Sequence, residues 1–281
     1  EWHNKSRRRK ESTQDFAPLY TVTQAENFLK QLRSIEYNIE LTPHPAVRCI
    51  FRDAGHILGS AIIELWVKQN NRHKKFVFSG DLGQPGHPIV RDPTPVQHAD
   101  VLLIESTYGN RLPRNMPDTL DELVHVIHDT LINKGGNVII PAFTVGRTQD
   151  LLFLLIDLYR QGRLAKMDIY VDSPMALAAT DITFKHIALL DKEAAEILQW
   201  LNKNTKKPQI HFIQDVEESM QLNNLKHGAI IISASGMCDA GRIKHHLKYN
   251  LGRSECSILI TGFQAAGTLG RRLVDGAKQV R

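Results

Sequence analysis

The chain has 281 residues, of which 42% are hydrophobic and 23% are charged; it is long enough for two domains and has the composition of an ordinary soluble globular protein. Its net charge of +5 favours anionic partners only mildly. The three cysteines, Cys49, Cys238 and Cys256, show no paired spacing, which argues for a reducing compartment and against a cysteine-based zinc site. No apolar run approaches the length of a membrane span, so the sequence predicts a cytoplasmic protein with no membrane partner.

The chain begins with a basic segment and a predicted helix. Five of residues 5–10 are Lys or Arg, a pattern typical of a solvated segment, with an arm that contacts phosphates as the alternative. Thr23 and Glu26 have the spacing of a capping box and predict a helix from there to about Arg33.

Three side chains able to bind metal or transfer protons follow apolar runs in the next part of the chain. Strands are predicted near residues 47–52, 61–67, 75–79 and 101–104. His56, Asp81 and Glu105 follow such runs and lie 25 and 24 positions apart. The continuous apolar runs predict strands buried on both faces, which would deliver the three side chains to one end of a sheet. Taken singly, His56 is more typical of a structural hydrogen-bonding residue than of a metal ligand. Ser-Gly-Asp81 is likewise more typical of an Asx turn than of a metal site.

A proline-rich stretch at residues 112–117 predicts a domain boundary, with domains at 1–113 and 114–281. After it, helices alternate with strands predicted at residues 137–141, 168–171, 209–213, 229–232 and 257–261. This alternation predicts βαβ units and a largely parallel sheet. His125 and His128 are three positions apart on a predicted helix, and a solvated face is favoured over a metal site because no third ligand is near.

Three loops of the second region share one feature, and we name them loop 1 (residues 142–147), loop 2 (233–242) and loop 3 (262–272). Each follows a strand, contains small residues and leads to an Arg near the start of a helix. Helix amino termini favour anions, and Arg binds phosphate in a fork, so the three loops together predict a phosphodiester-binding track. The candidate phosphate ligands are Arg147, Ser235, Gly236, Arg242 and Arg271. Met175, Met237 and Phe263 are predicted to be packing groups, and either His245 or His246 could face the cleft.

Together these segments resemble the β-CASP branch of the metallo-β-lactamase superfamily. The resemblance rests on Asp-Ala-Gly-His56-Ile-Leu-Gly, Ser-Gly-Asp81-Leu-Gly, Glu105-Ser-Thr-Tyr-Gly, Pro-Ala-Phe-Thr-Val-Gly-Arg147-Thr-Gln, Asp172-Ser-Pro-Met and Ser-Ala-Ser-Gly236-Met-Cys, and it covers residues 17–281. It implies an α/β fold: a partial metallo-β-lactamase αββα sandwich, followed by a β-CASP domain whose largely parallel sheet is flanked by helices. Members of this branch cleave nucleic acids, mostly RNA.

The resemblance also implies roles for individual residues. His56 would bind one of two zinc ions, and Asp81 would bridge both. Glu105 would be a catalytic residue that orients a proton-donating histidine. RNA is the implied partner, and a homodimer is an assembly that the resemblance allows.

Parts of the family pattern are missing from this sequence. The His-x-His-x-Asp-His cluster that holds most of the zinc pair does not occur, nor do the two later histidines. We therefore interpret the chain as an interior fragment, with an inactive family member as the alternative, and expect it alone to bind no stoichiometric zinc and to cleave no RNA. We then expect the side chains of Ile62, Trp66 and Val77 to be partly uncovered, because the fragment lacks the strands that the family places before this sheet.

Three hypotheses about function remain open at this stage. The first is a zinc-dependent ribonuclease, active in RNA processing or decay. The second is a metallo-β-lactamase-fold hydrolase of a small ester or thioester, although such a substrate does not need the second region and its loops. The third is a non-catalytic RNA-binding relative.

Overall fold

The structure is a computed structural model, and it describes residues 18–70, 72–110 and 115–280. The chain forms two compact units, Glu1–Ile39 and Glu40–Arg281. In the first unit, α1 spans Val22–Leu29. The prediction that Thr23 and Glu26 cap this helix is wrong, because the same spacing occurs two residues earlier: Thr21 and Gln24 exchange the two capping hydrogen bonds, at 3.2 and 2.8 Å. The basic segment 5–10 lies outside the described residues.

The second unit begins with a five-stranded sheet whose spatial order follows the sequence. Its strands are β1 (Glu40–His44), β2 (Val47–Asp53), β3 (Ala61–Gln69), β4 (Arg72–Phe78) and β5 (Val101–Leu103). The first four strands pair antiparallel, and β5 pairs parallel to β4. The four strands predicted between residues 47 and 104 are therefore confirmed.

Burial in this first sheet differs from the sequence-based expectation. The run 101–104 is exposed rather than covered on both faces, with Leu102 55% exposed, because β5 is an edge strand with few neighbours. Ile62 and Val77, by contrast, are buried under side chains of the segment that follows β4, among them Leu82. The expectation that Ile62 and Val77 lose their cover is therefore wrong.

The rest of the unit alternates between helices and parallel strands. Its elements are α2 (Met116–His128), β6 (Val138–Pro141), α3 (Arg147–Arg160), β7 (Asp168–Asp172), α4 (Pro174–Lys185), α5 (Lys192–Lys203), β8 (Gln209–Phe212), α6 (Val216–Leu222), β9 (Ala229–Ser233), α7 (Ile243–Asn250), β10 (Ser257–Ile258) and α8 (Leu269–Val274), with a π-helical turn at Asp129–Asn133 and a 3-10 turn at Ile187–Leu189. The strand order is β10-β6-β9-β7-β8, and every pairing is parallel. The predicted parallel sheet is confirmed.

Helices cover both faces of this second sheet. Ile139 and Ile231 pack on one side against Ile243 and Leu247 of α7. Their neighbours Ile140 and Ile232 point to the other side, where α3 contributes a Leu-rich face. Since successive strand residues face opposite ways, two apolar layers need continuous apolar strands, and that is the composition of β6 and β9.

The connection between β4 and β5 reaches across to the helices of the second sheet. Ile89 is buried in one cluster with Phe153 of α3 and Leu190. The backbone N–H of Asp191 donates to the Ile89 carbonyl at 2.8 Å, and Arg91 donates to the carbonyls of Leu190 and Ala188. Residues 89–91 thus attach the first sheet to α3 and α5, and the boundary at residue 113 stays a prediction.

Candidate nucleic-acid and metal site

Strand direction brings the three predicted site residues to one end of the first sheet. β2 and β4 are both antiparallel to β3, so they run in the same direction, and β5 is parallel to β4. His56 follows β2, Asp81 follows β4 and Glu105 follows β5, so all three lie beyond the carboxyl ends of these strands. Their roles remain predictions.

Short-range contacts fix the loops that carry these residues. The Glu105 carboxylate accepts hydrogen bonds from the backbone N–H groups of Leu82, at 2.9 Å, and Thr107, at 3.3 Å. The first of these bonds is the main reason that the pKa of Glu105 lies below its usual value, so the group is ionised at neutral pH. A Cβ at Gly83 would lie 1.6 Å from the Gly55 carbonyl oxygen, so only glycine lets the Asp81 loop pack against the His56 loop.

The donors present fit part of a zinc site. The exposed His56 and Asp81 provide a nitrogen and two oxygens, ligand types that zinc accepts. Both oxygens of Glu105 already accept backbone hydrogen bonds. Within the described parts of the chain, no group of three or more His, Cys, Asp or Glu side chains is arranged to hold a metal ion. His56 and Asp81 alone therefore fall short of the three protein ligands of a catalytic zinc site.

The three phosphate-track loops converge at the carboxyl ends of three neighbouring strands, β6, β9 and β10. Loops 1 and 2 are in contact, because a Cβ at Gly236 would lie 2.9 Å from the ring of Phe143. Loops 2 and 3 are joined by Gln264, whose buried amide nitrogen donates to the carbonyls of Gly236, at 3.0 Å, and of Phe263, at 3.1 Å. The three loops are therefore adjacent in the fold, and their role as a phosphodiester-binding track stays a prediction.

Arg147 lies in a cluster of charged groups at the amino terminus of α3. Its guanidinium is 3.6 Å from the Asp150 carboxylate, and His87 lies 3.7 Å from the same carboxylate. Burial raises the pKa of Asp150 to about 7, against the opposing effect of Arg147. Burial and then Arg147 lower the pKa of His87, with a smaller contribution from His56. Neither His87 nor Asp150 is among the site residues predicted from the sequence. His87 is marked there only by its place in a proline-rich connection, and Asp150 by no signal at all.

Three exposed aromatic residues lie on or next to loops 1 to 3. Tyr108 follows Glu105 in the same loop, Phe143 belongs to loop 1 and Phe263 to loop 3, and they are 44%, 49% and 37% exposed. The rings of Tyr108 and Phe263 meet edge to face with centroids 6.4 Å apart. The prediction that Met175 is a packing group is wrong, because its side chain is exposed, whereas Phe263 packs against Tyr108 although it is 37% exposed.

The sequence of residues 148–273 matches the Beta-Casp domain family. This chain contains a β-CASP domain. The match begins at the first turn of α3 and ends in α8, and so includes loops 2 and 3. The resemblance stated from the sequence is therefore confirmed.

Curated relatives are similar to this chain over most of its length. A protein named as a ribonuclease in Thermus thermophilus is 33% identical over 267 residues, which are 94% of this chain and 59% of the relative. An RNase J-like protein of Methanocaldococcus jannaschii is 33% identical over 96% of this chain and 61% of its own length. A transcription termination factor, FttA, of Pyrococcus abyssi is 30% identical over 94% of this chain and 40% of its own length. The chain thus spans about three fifths of the first two relatives.

Within the β-CASP domain, Arg242 is engaged by the fold itself. Its guanidinium donates to Asp172 at 2.7 Å and to the Gln214 carbonyl at 2.8 Å. The fully buried Asp172 also accepts from Ser219 at 2.6 Å and pairs with the equally buried His246 at 2.6 Å. Burial alone would raise the pKa of Asp172, but these bonds hold it below its usual value.

These contacts bear on the predicted phosphate ligands. Arg242 donates inward, which favours a role in fixing loop 2 over direct phosphate binding. Arg271 pairs with Asp275 four residues later on an exposed face. Ser235 accepts from the Ala240 N–H within loop 2, at 3.4 Å. His245 is exposed and His246 buried, so His246 does not face the cleft.

None of the helices in the part of the chain that the structure describes has both the length and the apolar composition that a membrane span requires.

Proposed function

We propose that the protein containing this chain is a zinc-dependent RNA phosphodiester hydrolase of the β-CASP type, acting in RNA processing or decay in the cytoplasm. One observation carries the proposal. The Glu105 loop and loop 3 touch through Tyr108 and Phe263, so the end of the first sheet that bears His56 and Asp81 is continuous with the phosphate-track surface. A polynucleotide bound along the three loops would therefore pass the metal-binding residues. The names of the relatives, a ribonuclease and an RNase J-like protein, agree with this substrate class.

His56, Asp81 and Glu105 each have a role in the proposed reaction. His56 and Asp81 would be among the ligands of two zinc ions, which when bound supply Lewis-acid activation of water and phosphate. Glu105, kept ionised by the Leu82 N–H, would orient a proton donor beside the leaving oxygen. The remaining zinc ligands would have to come from outside the described residues.

Substrate binding rests on loops 1 to 3. Arg147 offers a fixed positive charge, and its partner Asp150 is neutral for part of the time near pH 7, which leaves the guanidinium available to phosphate. Ser235 would contribute a polar group, whereas the buried Gly236, which packs against Phe143 of loop 1, would hold loop 2 in place. Loop 2 keeps its shape through Arg242.

The test compares the natural protein with Asp81→Ala and Arg147→Ala. Asp81→Ala should lower zinc content and cleavage of single-stranded RNA by orders of magnitude while leaving RNA affinity nearly unchanged. Arg147→Ala should keep zinc but weaken RNA binding and reduce the slope of log affinity against log salt by about one, because one phosphate contact is lost. His56→Ala should behave like Asp81→Ala.

Arg160→Ala is the matched control for Arg147→Ala. Arg160 stands at the other end of α3, and its side chain is 36% exposed against 37% for Arg147. Each is also paired with an Asp three residues away. An equal loss of RNA affinity in both variants would contradict the placement of the phosphate track. RNA binding without zinc or cleavage would indicate a non-catalytic relative, and ester hydrolysis without RNA binding would indicate a small-substrate hydrolase.

A further inference from the structure

We infer that the outer edge of β8 and an apolar pocket beside it form a docking site for an extended peptide of another protein, which carries a large apolar residue flanked by acidic residues. We name this surface the β8 site; it consists of β8, the pocket and the lysines at positions 203, 206 and 207. It is separate from loops 1 to 3, which follow β6, β9 and β10, because β7 stands between β9 and β8. Such a site needs neither zinc nor RNA, and so it goes beyond the proposed function.

The outer edge of β8 is open. β8 stands last in the strand order and, among the described residues, pairs only with β7. The backbone N–H groups of Gln209 and Ile213 donate to carbonyls on the β7 side, at 3.2 and 3.0 Å. Because peptide groups alternate in direction along a parallel strand, the N–H and C=O groups of Ile210 and Phe212 point away from the sheet. An extended chain laid along this edge would pair with them and add a strand to the sheet.

An apolar pocket lies beside this edge. It has a volume of about 230 Å³, and side chains of α3, α4, α5 and β8 line it, among them Ile156, Phe184, Leu201 and Ile210. Sites for small molecules are usually larger, about 300–1,000 Å³, so this pocket suits a single large side chain of a peptide. Phe184 is 38% exposed, and covering it would be favourable. Ile210 belongs to both the pocket and the edge, so one peptide can occupy the two together.

The charge beside the pocket favours acidic partners. Lys203 ends α5, and Lys206 and Lys207 lie in the short connection from α5 to β8. Lys207 lines the pocket, where its ammonium group donates to the Leu201 carbonyl at 3.4 Å. Among the residues that the structure describes, no carboxylate forms an ion pair with any of these three lysines. Carboxylates on either side of the apolar residue of a bound peptide would supply the missing partners.

The strand itself lacks the usual protection of a free edge. Native proteins blunt such edges with lysine or proline on the strand, with a bulge, or by keeping the strand very short. β8 has the sequence Gln-Ile-His-Phe and a regular register with β7, whereas β10 at the opposite edge is limited to Ser257–Ile258. A nucleic acid would use the lysines but would leave the strand edge and the pocket unfilled. The combination therefore favours an acidic and apolar peptide.

The experiment begins with selection from a displayed library of random short peptides on the natural protein. The bound peptides should be enriched in a large apolar residue with Asp or Glu beside it. The most frequent sequence is then synthesised, together with two copies that are N-methylated at alternate residues, one at the odd and one at the even positions. Only one set of N–H groups can face β8, so one copy should bind severalfold more weakly than the other.

Variants of the protein test the pocket and the charge separately. Phe184→Ala should weaken binding of the synthetic peptide about tenfold, because the pocket loses a wall. Lys207→Glu should weaken it severalfold and should reduce the decrease of affinity with salt, because an attractive charge has become repulsive. The melting temperature of each variant, measured alongside, reports whether it is folded.

Two matched controls come from the same part of the chain. Met220→Ala truncates an apolar residue that is 64% exposed on α6, a helix whose Leu222 packs on the opposite face of the sheet. Lys192→Glu reverses the charge of an exposed lysine at the other end of α5. Neither should change the affinity for the peptide.

Several results would overturn the β8 site. No enrichment, enrichment of basic peptides, equal affinity of the two N-methylated copies, or unchanged affinity in both Phe184→Ala and Lys207→Glu would each do so. Displacement of the peptide by RNA, with a loss of RNA affinity in Lys207→Glu, would assign the lysines to nucleic acid instead. A dimer of the natural protein that dissociates in Phe184→Ala would assign the edge to a second copy of the chain.

Discussion

Replacing Asp172 by Ala should destabilise the protein more than any other single loss of a polar side chain described above. The carboxylate is fully buried and accepts charge-assisted or hydroxyl hydrogen bonds from Arg242, Ser219 and His246. Such bonds are worth about 1.5–3 kcal/mol each but are not additive. Removing one member of a buried ion pair costs about 3–5 kcal/mol, since the partner charge is left uncompensated, and we expect a loss of that size.

The assay is equilibrium unfolding in urea, with Asp168→Ala as the matched control. Asp168 stands at the other end of β7 and also pairs with a histidine, His211, at 3.0 Å. That pair is exposed on both sides, so its loss should cost only about 0–1 kcal/mol. If Asp172→Ala falls in the same range, the buried network is not a source of stability and the reasoning fails.

The pH dependence of the free energy of unfolding is an independent test of the Asp172 carboxylate. The pKa of Asp172 in the folded protein lies below its ordinary 3.8, so its stabilising effect is present above that pH and is lost as pH falls through the folded value. The gap in stability between the wild type and Asp172→Asn should therefore be constant from neutral pH to about pH 5 and shrink below pH 4. A gap that does not change with pH would show that the charge of Asp172 contributes nothing.

Two further predictions follow from close packing and burial. Gly83→Ala should lower the melting temperature by several degrees and loosen the Asp81 loop, because its Cβ would overlap the Gly55 carbonyl; an unchanged melting curve would contradict the close approach. Asp150→Asn should be more stable than the wild type at pH 8, by about 1–3 kcal/mol, since burial opposes the charge of Asp150. Because the folded pKa of about 7 exceeds the ordinary 3.8, this advantage should fade as pH falls from 7 to 4, and an advantage that grows in acid would refute it.

The sequence predicted the second sheet well because its signals are local. The strand residues 138–140 and 229–232 are uninterrupted Ala, Val and Ile, and each strand is closed by glycine, proline or small polar residues. Ser173 and Pro174 are residue types that favour a helix start, and the Ser173 hydroxyl accepts from the Ala176 N–H at the start of α4. Periodicity and caps are properties of short windows, so they can be read without knowing the fold.

The contacts that could not be predicted join residues far apart in the chain. Asp172 and Arg242 are 70 positions apart, and nothing near Arg242 in the sequence distinguishes an arginine that binds phosphate from one that supports a loop. The burial of Asp150 and the exposure of β5 likewise depend on which segment covers which surface. The local sequence pattern indicates which helix or strand carries a side chain, whereas tertiary packing determines which residue that side chain contacts.

The attachment of residues 89–91 to α3 and α5 affects how the Glu40–Arg281 unit melts. Ile89 belongs to the connection between the strands of the first sheet, yet it is buried among side chains of α3 and α5. Detaching either sheet would expose the shared cluster and break the Asp191–Ile89 hydrogen bond at the same time. The two sheets are therefore thermodynamically coupled and should melt together in one cooperative transition, with no half-folded species in which one sheet survives the other.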